Sequence, residues 1–193
     1  MRQIAVFIAL GAILWFGFSY LLQYAENPSV VVDATNPDLT IDGQRVSQVF
    51  RFANAQVLDG DSVRVTGDSV EPFDVRLAAI DAPEWSQAFG QEAKQYLEQL
   101  LGRQEIIAWQ TDTDRYGRVI AFLFIQQPDG QLQEINVQMI RAGYAWHFNK
   151  YSSNPLLGSI EYEARANRVG LWNTNQPPVP PWEFRASQNS SFQ

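Results

Sequence analysis

Residues 73–101 read FDVRLAAIDAPEWSQAFGQEAKQYLEQLL. From Phe73 to Ala79 every second residue is apolar, with Asp74, Arg76 and Ala78 between them, as in a β-strand with one buried face. From Phe89 to Leu101 apolar residues recur at helical spacing, and Gly102 follows as a helix stop. The loop between the two patterns carries two carboxylates and a proline. This stretch therefore predicts a half-buried strand that leads through a stiff acidic loop into an amphipathic helix.

The rest of the central region predicts four more strands and two more helices. Strand patterns occupy residues 48–58, 62–66, 105–109 and 119–126. Helices are predicted over 133–142 and from Asn154-Pro155 to Gly170, where asparagine is an N-cap and proline takes the first helical position. Five short strands with a helix before the fourth favour an α+β, mainly β fold: a five-stranded OB-fold barrel with about three packed helices.

The N-terminus predicts a hydrophobic helix in front of this domain. Ile4–Leu22 is a run of 19 uncharged residues, long enough to cross a bilayer core of about 30 Å. No clear small-residue cleavage pattern follows, which favours an uncleaved single-pass anchor over a cleaved signal segment. Arg2 precedes the run and acidic residues follow it, so we expect the domain to lie outside the cytoplasm, or to be secreted if the segment is cleaved.

Composition shifts divide the chain into four parts. Residues 1–24 form the anchor or signal segment, and 25–46, with their prolines and asparagines, form a linker. Residues 47–173 form the folded domain. Residues 174–193 form a Pro-rich tail, for which we predict polyproline II at the prolines, packing on the domain, and disorder toward Gln193. A single domain without a spare apolar face predicts a monomer.

Composition excludes several kinds of site. The chain has 193 residues, no cysteine and one histidine, so it has no disulfide scaffold, no thiolate zinc site, no cysteine nucleophile and no multi-histidine metal centre. Its net charge is −7, which argues against binding nucleic acid through bulk charge. A site for a polyanion must therefore be local.

Three short motifs hold charged residues that can form such a site. Asp59-Gly60-Asp61 follows a strand, Arg76 precedes Asp81-Ala82-Pro83-Glu84, and Asp114-Arg115-Tyr116-Gly117-Arg118 precedes another strand. Taken alone, each has an ordinary explanation as a turn or a solvated surface. Together they provide what phosphodiester hydrolysis needs: carboxylates for a hard cation and for a proton, and guanidinium groups for phosphate.

The ordered set of motifs resembles the staphylococcal (micrococcal) nuclease family over about residues 48–173. The resemblance is carried by VLDGDSVRV, VRLAAIDAPE, FGQEAKQYLEQLL, TDTDRYGRVIAFLF and INVQMIRAGYAW. It implies an OB-fold, calcium-dependent endonuclease that cuts DNA and RNA and leaves 3′-phosphate ends.

The resemblance also implies roles for individual residues. Asp61, Asp81 and the carbonyl of Ala82 correspond to the calcium ligands, although the family archetype has threonine at the last position. Arg76 and Arg118 correspond to the phosphate-binding arginines, and Glu84 to the general base. The substrate-side residues are Tyr116, Asp59 near the metal, and Trp146, which either stacks on a base or packs in the core.

One departure from the family keeps a second function open. Residues 48–173 carry 11 Lys and Arg against 16 Asp and Glu, a balance of −5, whereas the archetype is strongly basic. Weak electrostatic steering is expected from this charge. The alternative is therefore a catalytically inactive OB-fold module that binds nucleic acid or protein at the cell envelope. Against it, all five main charged positions are present.

Overall fold

The computed structural model describes residues 40–41, 44–45, 49–53, 55–67 and 70–190. The predicted anchor at 1–24 and most of the predicted linker lie outside these residues, so both remain predictions. Across the part of the chain that is described, no helix has the length and apolar content needed to cross a membrane.

The described residues contain eleven strands in three sheets. They are β1 (Thr40–Ile41), β2 (Gln44–Arg45), β3 (Val49–Phe52), β4 (Ala55–Val57), β5 (Ser62–Gly67), β6 (Val70–Leu77), β7 (Ile80–Asp81), β8 (Ile106–Thr113), β9 (Val119–Gln126), β10 (Leu132–Glu134) and β11 (Trp146–His147). The main sheet has the order β3-β8-β9-β6-β5-β4, with β10 paired to β9. Two small sheets pair β1 with β2 and β7 with β11.

The main sheet has the mixed pairing of a curved, barrel-like sheet but is not closed. Strands β6 and β9 run parallel, and every other pair is antiparallel. Among the described residues no hydrogen-bonded pair joins the two ends of the sheet, β3 and β4. These end strands are consecutive in the chain, separated only by residues 53–54. The α+β, mainly β class is confirmed and agrees with an OB-fold; in place of the predicted five-stranded barrel, the described residues form a seven-stranded sheet that is not closed.

The predicted strand at 48–58 is divided in two. Its first part, β3, pairs with β8, and its second part, β4, pairs with β5 on the other side of the sheet. One straight strand cannot serve two partners at opposite ends of a sheet, so the chain bends between them. Strand β6 begins before the predicted residue 73 and ends at Leu77 and not at Ala79, because residues 78–79 form a turn with Ala79 at a φ of 61°. Strand β8 continues past the predicted residue 109 because it pairs with β9 as far as Thr113.

In the part of the chain that the structure describes, four α-helices accompany the sheet. They are α1 (Gly90–Leu101), α2 (Ile135–Arg141), α3 (Pro155–Ala166) and α4 (Pro181–Ser190), with a short 3-10 helix at Gly170–Trp172. The predicted cap of α3 is confirmed, since the Asn154 side chain accepts a hydrogen bond from the amide of Leu156. Helix α2 begins later than predicted because Leu132–Glu134 pairs with β9.

Helix α4 corrects the prediction for the tail. We predicted disorder toward Gln193, yet residues 181–190 are helical. Pro181 opens the helix, where its missing N–H costs nothing, and the carbonyl of Pro180 accepts hydrogen bonds from Glu183 and Phe184. The predicted packing of the tail is observed, because the Trp182 ring stacks on Phe148.

The core lies between the sheet and helices α1, α2 and α3. Its fully buried side chains include Val63, Val75, Leu77, Leu97, Leu123, Ile140 and Leu157. Asn136, also fully buried, accepts a hydrogen bond from the amide of Leu123 and donates one to the carbonyl of Ala78. These hydrogen bonds connect α2 to β9 and to the turn that follows β6. That turn separates two of the charged residues described next.

Candidate active site

Strand pairing places two of the predicted site residues side by side. Asp61 immediately precedes β5, and Arg76 lies next to the end of β6. Ser62 is the register partner of Arg76, and the Leu77 amide donates to the Asp61 carbonyl at 2.8 Å. A tight turn then reverses the chain into β7, with Ala79 at a φ of 61°. This reversal returns Asp81 to the same end of the sheet.

Arg76 lies between the two aspartates. Its Nη2 is 3.2 Å from Asp61 Oδ2 and 2.8 Å from Asp81 Oδ1, and its Nη1 donates to the carbonyls of Leu77 and Ile80 at 3.0 Å each. Asp61 is 6% exposed and Asp81 is fully buried. Burial lowers the pKa of Arg76, but the two carboxylates outweigh it and hold that pKa above its ordinary value.

The oxygen atoms around Arg76 form a compact acidic cluster. Asp61 Oδ2 accepts from the Ala82 amide at 2.8 Å, and Asp59 Oδ1 accepts from the Asp61 amide at 3.0 Å. Burial, followed by the charge of Asp61, raises the pKa of Asp59 to about 6. Burial is also the main cause of the raised pKa of Asp81. Both shifts follow from removing these carboxylates from water and placing them beside another carboxylate.

An oxygen-only donor set of this kind suits a hard cation such as calcium. The carboxylates of Asp61 and Asp81 converge on one point, the Arg76 Nη2, and Ala82 is adjacent to both. Among the described residues no group of three or more His, Cys, Asp or Glu side chains has the arrangement of a metal site. The set implied by the family resemblance needs only two carboxylates and a main-chain carbonyl, so the residues present fit it.

Gly60 allows the cluster to be this compact. A Cβ at this position would lie 2.7 Å from Ala82 Cβ and 2.8 Å from Ala93 Cβ, both closer than real Cβ contacts. Sequence analysis interpreted Asp59-Gly60 as a turn signal. In the structure the glycine is buried against the loop of Ala82 and against α1, so its function is close packing.

Glu84 lies in the loop between β7 and α1. Its amide donates to the Gln87 side-chain carbonyl at 3.2 Å, and its own carbonyl accepts from the Gln87 amide at 2.9 Å. Gly90 also positions this loop, because a Cβ there would lie 2.0 Å from the Glu84 carbonyl oxygen. Sequence analysis did not identify Gly90, since a helix-initiating glycine has no distinctive local pattern.

Arg118 and Tyr116 form a second cluster beside the acidic one. Asp114 accepts hydrogen bonds from the amides of both residues and from Arg118 Nε at 2.8 Å. Tyr116 is 70% exposed, with the Arg115 guanidinium 4.8 Å from its ring centroid. Together with Arg64 they line a surface cavity of about 330 Å³.

Of the two predicted phosphate-binding arginines, Arg76 lies on β6 and Arg118 immediately precedes the adjacent strand β9. Val119 pairs with Val75 in the parallel β6–β9 ladder, so Arg118 and Arg76 are near neighbours across it. Within the described residues, the side-chain hydrogen bond of Arg118 is made to Asp114. A group that binds both arginines must therefore bridge the acidic cluster and the cavity.

Trp146 lies behind the acidic cluster. It is 2% exposed, pairs with Asp81 in the β7–β11 ladder, and packs its ring against those of Trp172 and Trp182. Of the two explanations that the sequence left open, core packing agrees with this burial, and stacking on a base lacks an exposed ring face. His147 is part-buried, and burial lowers its pKa.

The structure adds one charged residue that sequence analysis missed. Arg185 of α4 donates from Nη1 to Glu84 Oε1 at 2.6 Å and from Nη2 to Asp81 Oδ2 at 2.8 Å. Only the stretch Pro-Pro-Trp-Glu-Phe before it indicated that the tail packs on the domain. No local pattern indicates a contact between residues separated by more than 100 positions.

Comparison with known proteins agrees with this geometry. The family described as staphylococcal nuclease homologue matches residues 74–174. The chain is 40% identical to a micrococcal nuclease of Shigella flexneri over 149 residues, covering 74% of this chain and 84% of that protein. It is 36% identical to the protein ParB of Escherichia coli, covering 70% and 78%, respectively. It is 35% identical to an uncharacterized endonuclease of Haemophilus influenzae, covering 71% and 75%.

Proposed function

Because this chain belongs to the staphylococcal nuclease family, we propose that it is a calcium-dependent endonuclease that hydrolyses phosphodiester bonds of DNA and RNA. The products are expected to carry 3′-phosphate ends. The observation that carries the proposal is the buried guanidinium of Arg76 held between Asp61 and Asp81. Relatives whose names include nuclease or endonuclease support the reaction class.

The acidic cluster is the proposed calcium site. Asp61, Asp81 and the carbonyl of Ala82 would hold the ion, and Asp59, next to Asp61, adds negative charge. When bound, the ion neutralises phosphate charge and acts as a Lewis acid.

The remaining steps belong to side chains of the chain itself. Glu84 accepts the proton of the attacking water. Arg76 and Arg118 bind the phosphate from two sides and stabilise the charge that develops on its oxygens in the transition state. Tyr116, exposed beside Arg118, orients the substrate phosphate or its neighbouring base.

The proposal is tested by digestion of single-stranded DNA and RNA with calcium or with a calcium chelator. We expect Glu84→Gln to lower kcat on the order of 10²- to 10⁴-fold, because the general base is lost. The matched control is Glu92→Gln, an exposed carboxylate in the first turn of α1, which should leave kcat unchanged.

The competing function gives a different result. An inactive binding module would show no calcium-dependent cleavage by a folded wild-type protein at low salt, while it would still bind nucleic acid or another protein. The acidic balance of the domain is the one feature that favours this alternative.

We propose a single-pass membrane location for the protein, with the nuclease domain outside the cytoplasm. The support is the 19-residue uncharged run at Ile4–Leu22 with Arg2 before it. Carbonate extraction should leave the protein in the membrane pellet, and protease added from outside should digest the domain. Release of a shortened domain into the medium would instead indicate a cleaved signal segment. The expected monomer is tested by sedimentation of the same preparation.

A further inference from the structure

Helix α4 places a cation of the chain itself in the acidic cluster. Arg185 Nη2 donates to Asp81 Oδ2 at 2.8 Å, and Nη1 donates to Asp81 Oδ1 at 3.2 Å and to Glu84 Oε1 at 2.6 Å. One guanidinium therefore occupies both oxygens of Asp81 and one oxygen of Glu84. In the proposed function these two side chains are a calcium ligand and the general base.

Separate contacts hold α4 in this position. The Trp182 ring stacks on Phe148 with centroids 5.4 Å apart and planes 4° from parallel. The Gln87 side-chain amide donates to the carbonyl of Val179, just ahead of the helix. These contacts tie the tail to the segment after β11 and to the loop of Glu84. Arg185 is thus presented by a docked helix.

The two arginines of the cluster differ in how firmly they are held. Arg76 is 16% exposed in its side chain and is bound by two carbonyls and two carboxylates. Arg185 is 41% exposed and bound only by Asp81 and Glu84 among the described residues. Arg185 is already partly hydrated, and its release into water breaks contacts with two side chains, whereas release of Arg76 would also leave two main-chain carbonyls without a donor. Arg185 is therefore the removable cation.

We propose that Arg185 competes with the metal ion for the acidic cluster, so that α4 restrains the enzyme in its metal-free state. This rests on the proposed function: if the acidic cluster is the calcium site, the contact of Arg185 with it is autoinhibitory. With Arg185 in place, both oxygens of Asp81 are paired and one oxygen of Glu84 is engaged, so a metal ion must displace the guanidinium from Asp81. Metal binding and withdrawal of the guanidinium from Asp81 are then one coupled event.

Calcium affinity tests the proposal without reference to activity. In the full chain, kept in a mild detergent, isothermal titration with calcium should give a dissociation constant about tenfold lower for Arg185→Gln than for wild type, since a competing ion pair is absent. The midpoint of thermal unfolding without metal should fall in the same variant, because the cluster has lost a counter-charge.

A second variant separates the helix from the charge. Trp182→Ala weakens the docking of α4 and leaves every group of the cluster intact, so it should also tighten calcium binding. The control Arg103→Gln removes one positive charge from an exposed position beyond the far end of α1 and should not change the calcium affinity.

The outcomes distinguish the inference from the proposed function. Unchanged or weaker calcium binding in both Arg185→Gln and Trp182→Ala, in a protein that cleaves DNA with calcium, overturns the inference alone. If Arg185→Gln has a higher KM for DNA and an unchanged calcium affinity, the inference is also overturned, and Arg185 is instead a substrate-binding residue. No calcium binding in any of these proteins, together with no cleavage, overturns both.

Discussion

At Arg76 the shape of the side chain matters as much as its charge. Its two terminal nitrogens point in different directions, one pair of bonds going to main-chain carbonyls and the other to Asp61 and Asp81. A lysine ammonium is a single point donor and could not span these four acceptors. The residue type at this position is therefore explained by the planar fork of the guanidinium.

A substitution at Arg118 tests phosphate binding more directly than one at Arg76, because Arg76 also forms ion pairs with Asp61 and Asp81 inside the protein. We predict that Arg118→Ala lowers kcat/KM by about 10²- to 10³-fold, as expected when a donor to the transition state is lost. The unfolding midpoint should change little, since Arg118 is half-buried and Asp114 keeps its main-chain hydrogen bonds. Steady-state cleavage and thermal unfolding measure the two effects.

The control for Arg118 is Arg51→Ala, which breaks an exposed ion pair with Glu105 on the sheet. Its kinetics should match wild type. Wild-type cleavage by Arg118→Ala would remove this residue from the proposed mechanism.

The raised pKa of Glu134 predicts that the free energy of unfolding depends on pH, independently of the candidate active site. Burial raises its pKa to about 7, partly opposed by the charge of Arg141, and its Oε1 is buried without a partner among the described residues. The folded state thus binds a proton that the unfolded state releases above its ordinary pKa of 4.5. Stability from this group is present below pH 4.5 and is lost as pH rises toward 7.

We predict that Glu134→Gln stabilises the protein, and that the gain is about 2 kcal/mol larger at pH 8 than at pH 5.5. Urea unfolding at both pH values measures the difference. The exposed Glu163→Gln should show the same stability change at the two pH values. If the stability gain of Glu134→Gln did not grow with pH, Glu134 would not have the raised pKa that burial gives it.

At the scale of elements, the site depends on how closely the loop of Glu84 and the start of α1 approach each other. Gly90 begins this helix directly against the Glu84 carbonyl, and the preceding residue, Phe89, has a φ of 68°. The general base proposed here is therefore positioned by a backbone contact, in addition to its own side-chain bonds. This contact links helix packing to catalysis.

We predict that Gly90→Ala lowers kcat at least tenfold, because the new methyl group must displace the Glu84 loop. The free energy of unfolding should fall by about 1–3 kcal/mol, as in other overpacked cores. Cleavage assays and urea unfolding report the two changes.

The matched control is Gly158→Ala in α3, where a Cβ would lie 3.7 Å from His147 Nδ1, an ordinary contact. This change should leave kcat unaltered and stabilise the helix by up to about 1 kcal/mol. If Gly90→Ala behaved like Gly158→Ala, the close approach would not constrain Glu84.

At the scale of the whole molecule, negative charge limits how nucleic acid is bound. The chain has a net charge of −7, and the central domain contributes −5 of it. In the proposed function, phosphates are bound by Arg118, which lines the cavity, and by the neighbouring Arg76. We therefore expect binding to be local, over few phosphates.

We predict a shallow salt dependence with weak overall affinity. Two phosphate contacts on single-stranded DNA give a slope of about −1.4 in log affinity against log salt, or about sevenfold weaker binding between 50 and 200 mM salt. Fluorescence anisotropy of labelled DNA with the Glu84→Gln variant measures it. A slope of about −5 would mean many more phosphate contacts than these two arginines provide.

Neighbouring residues in the sequence are enough to predict the local features of this fold. Period-two alternation located β5 and β6, helical spacing located α1, and the Asn154-Pro155 pair located the start of α3. The three charged motifs identified the side chains that the sheet brings together at one end, although their roles stay predictions. The family resemblance was confirmed as well, because it rests on motifs that follow one another in a fixed order along the sequence.

Contacts between residues that are far apart in the sequence depend on the tertiary structure. The bend between β3 and β4 depends on which strands pair at the two ends of the sheet, and the burial of Trp146 depends on α4 and on the segment after α3. Arg185 meets Asp81 across 104 positions. No local periodicity encodes such a contact, because it forms only once the sheet and the helices have packed.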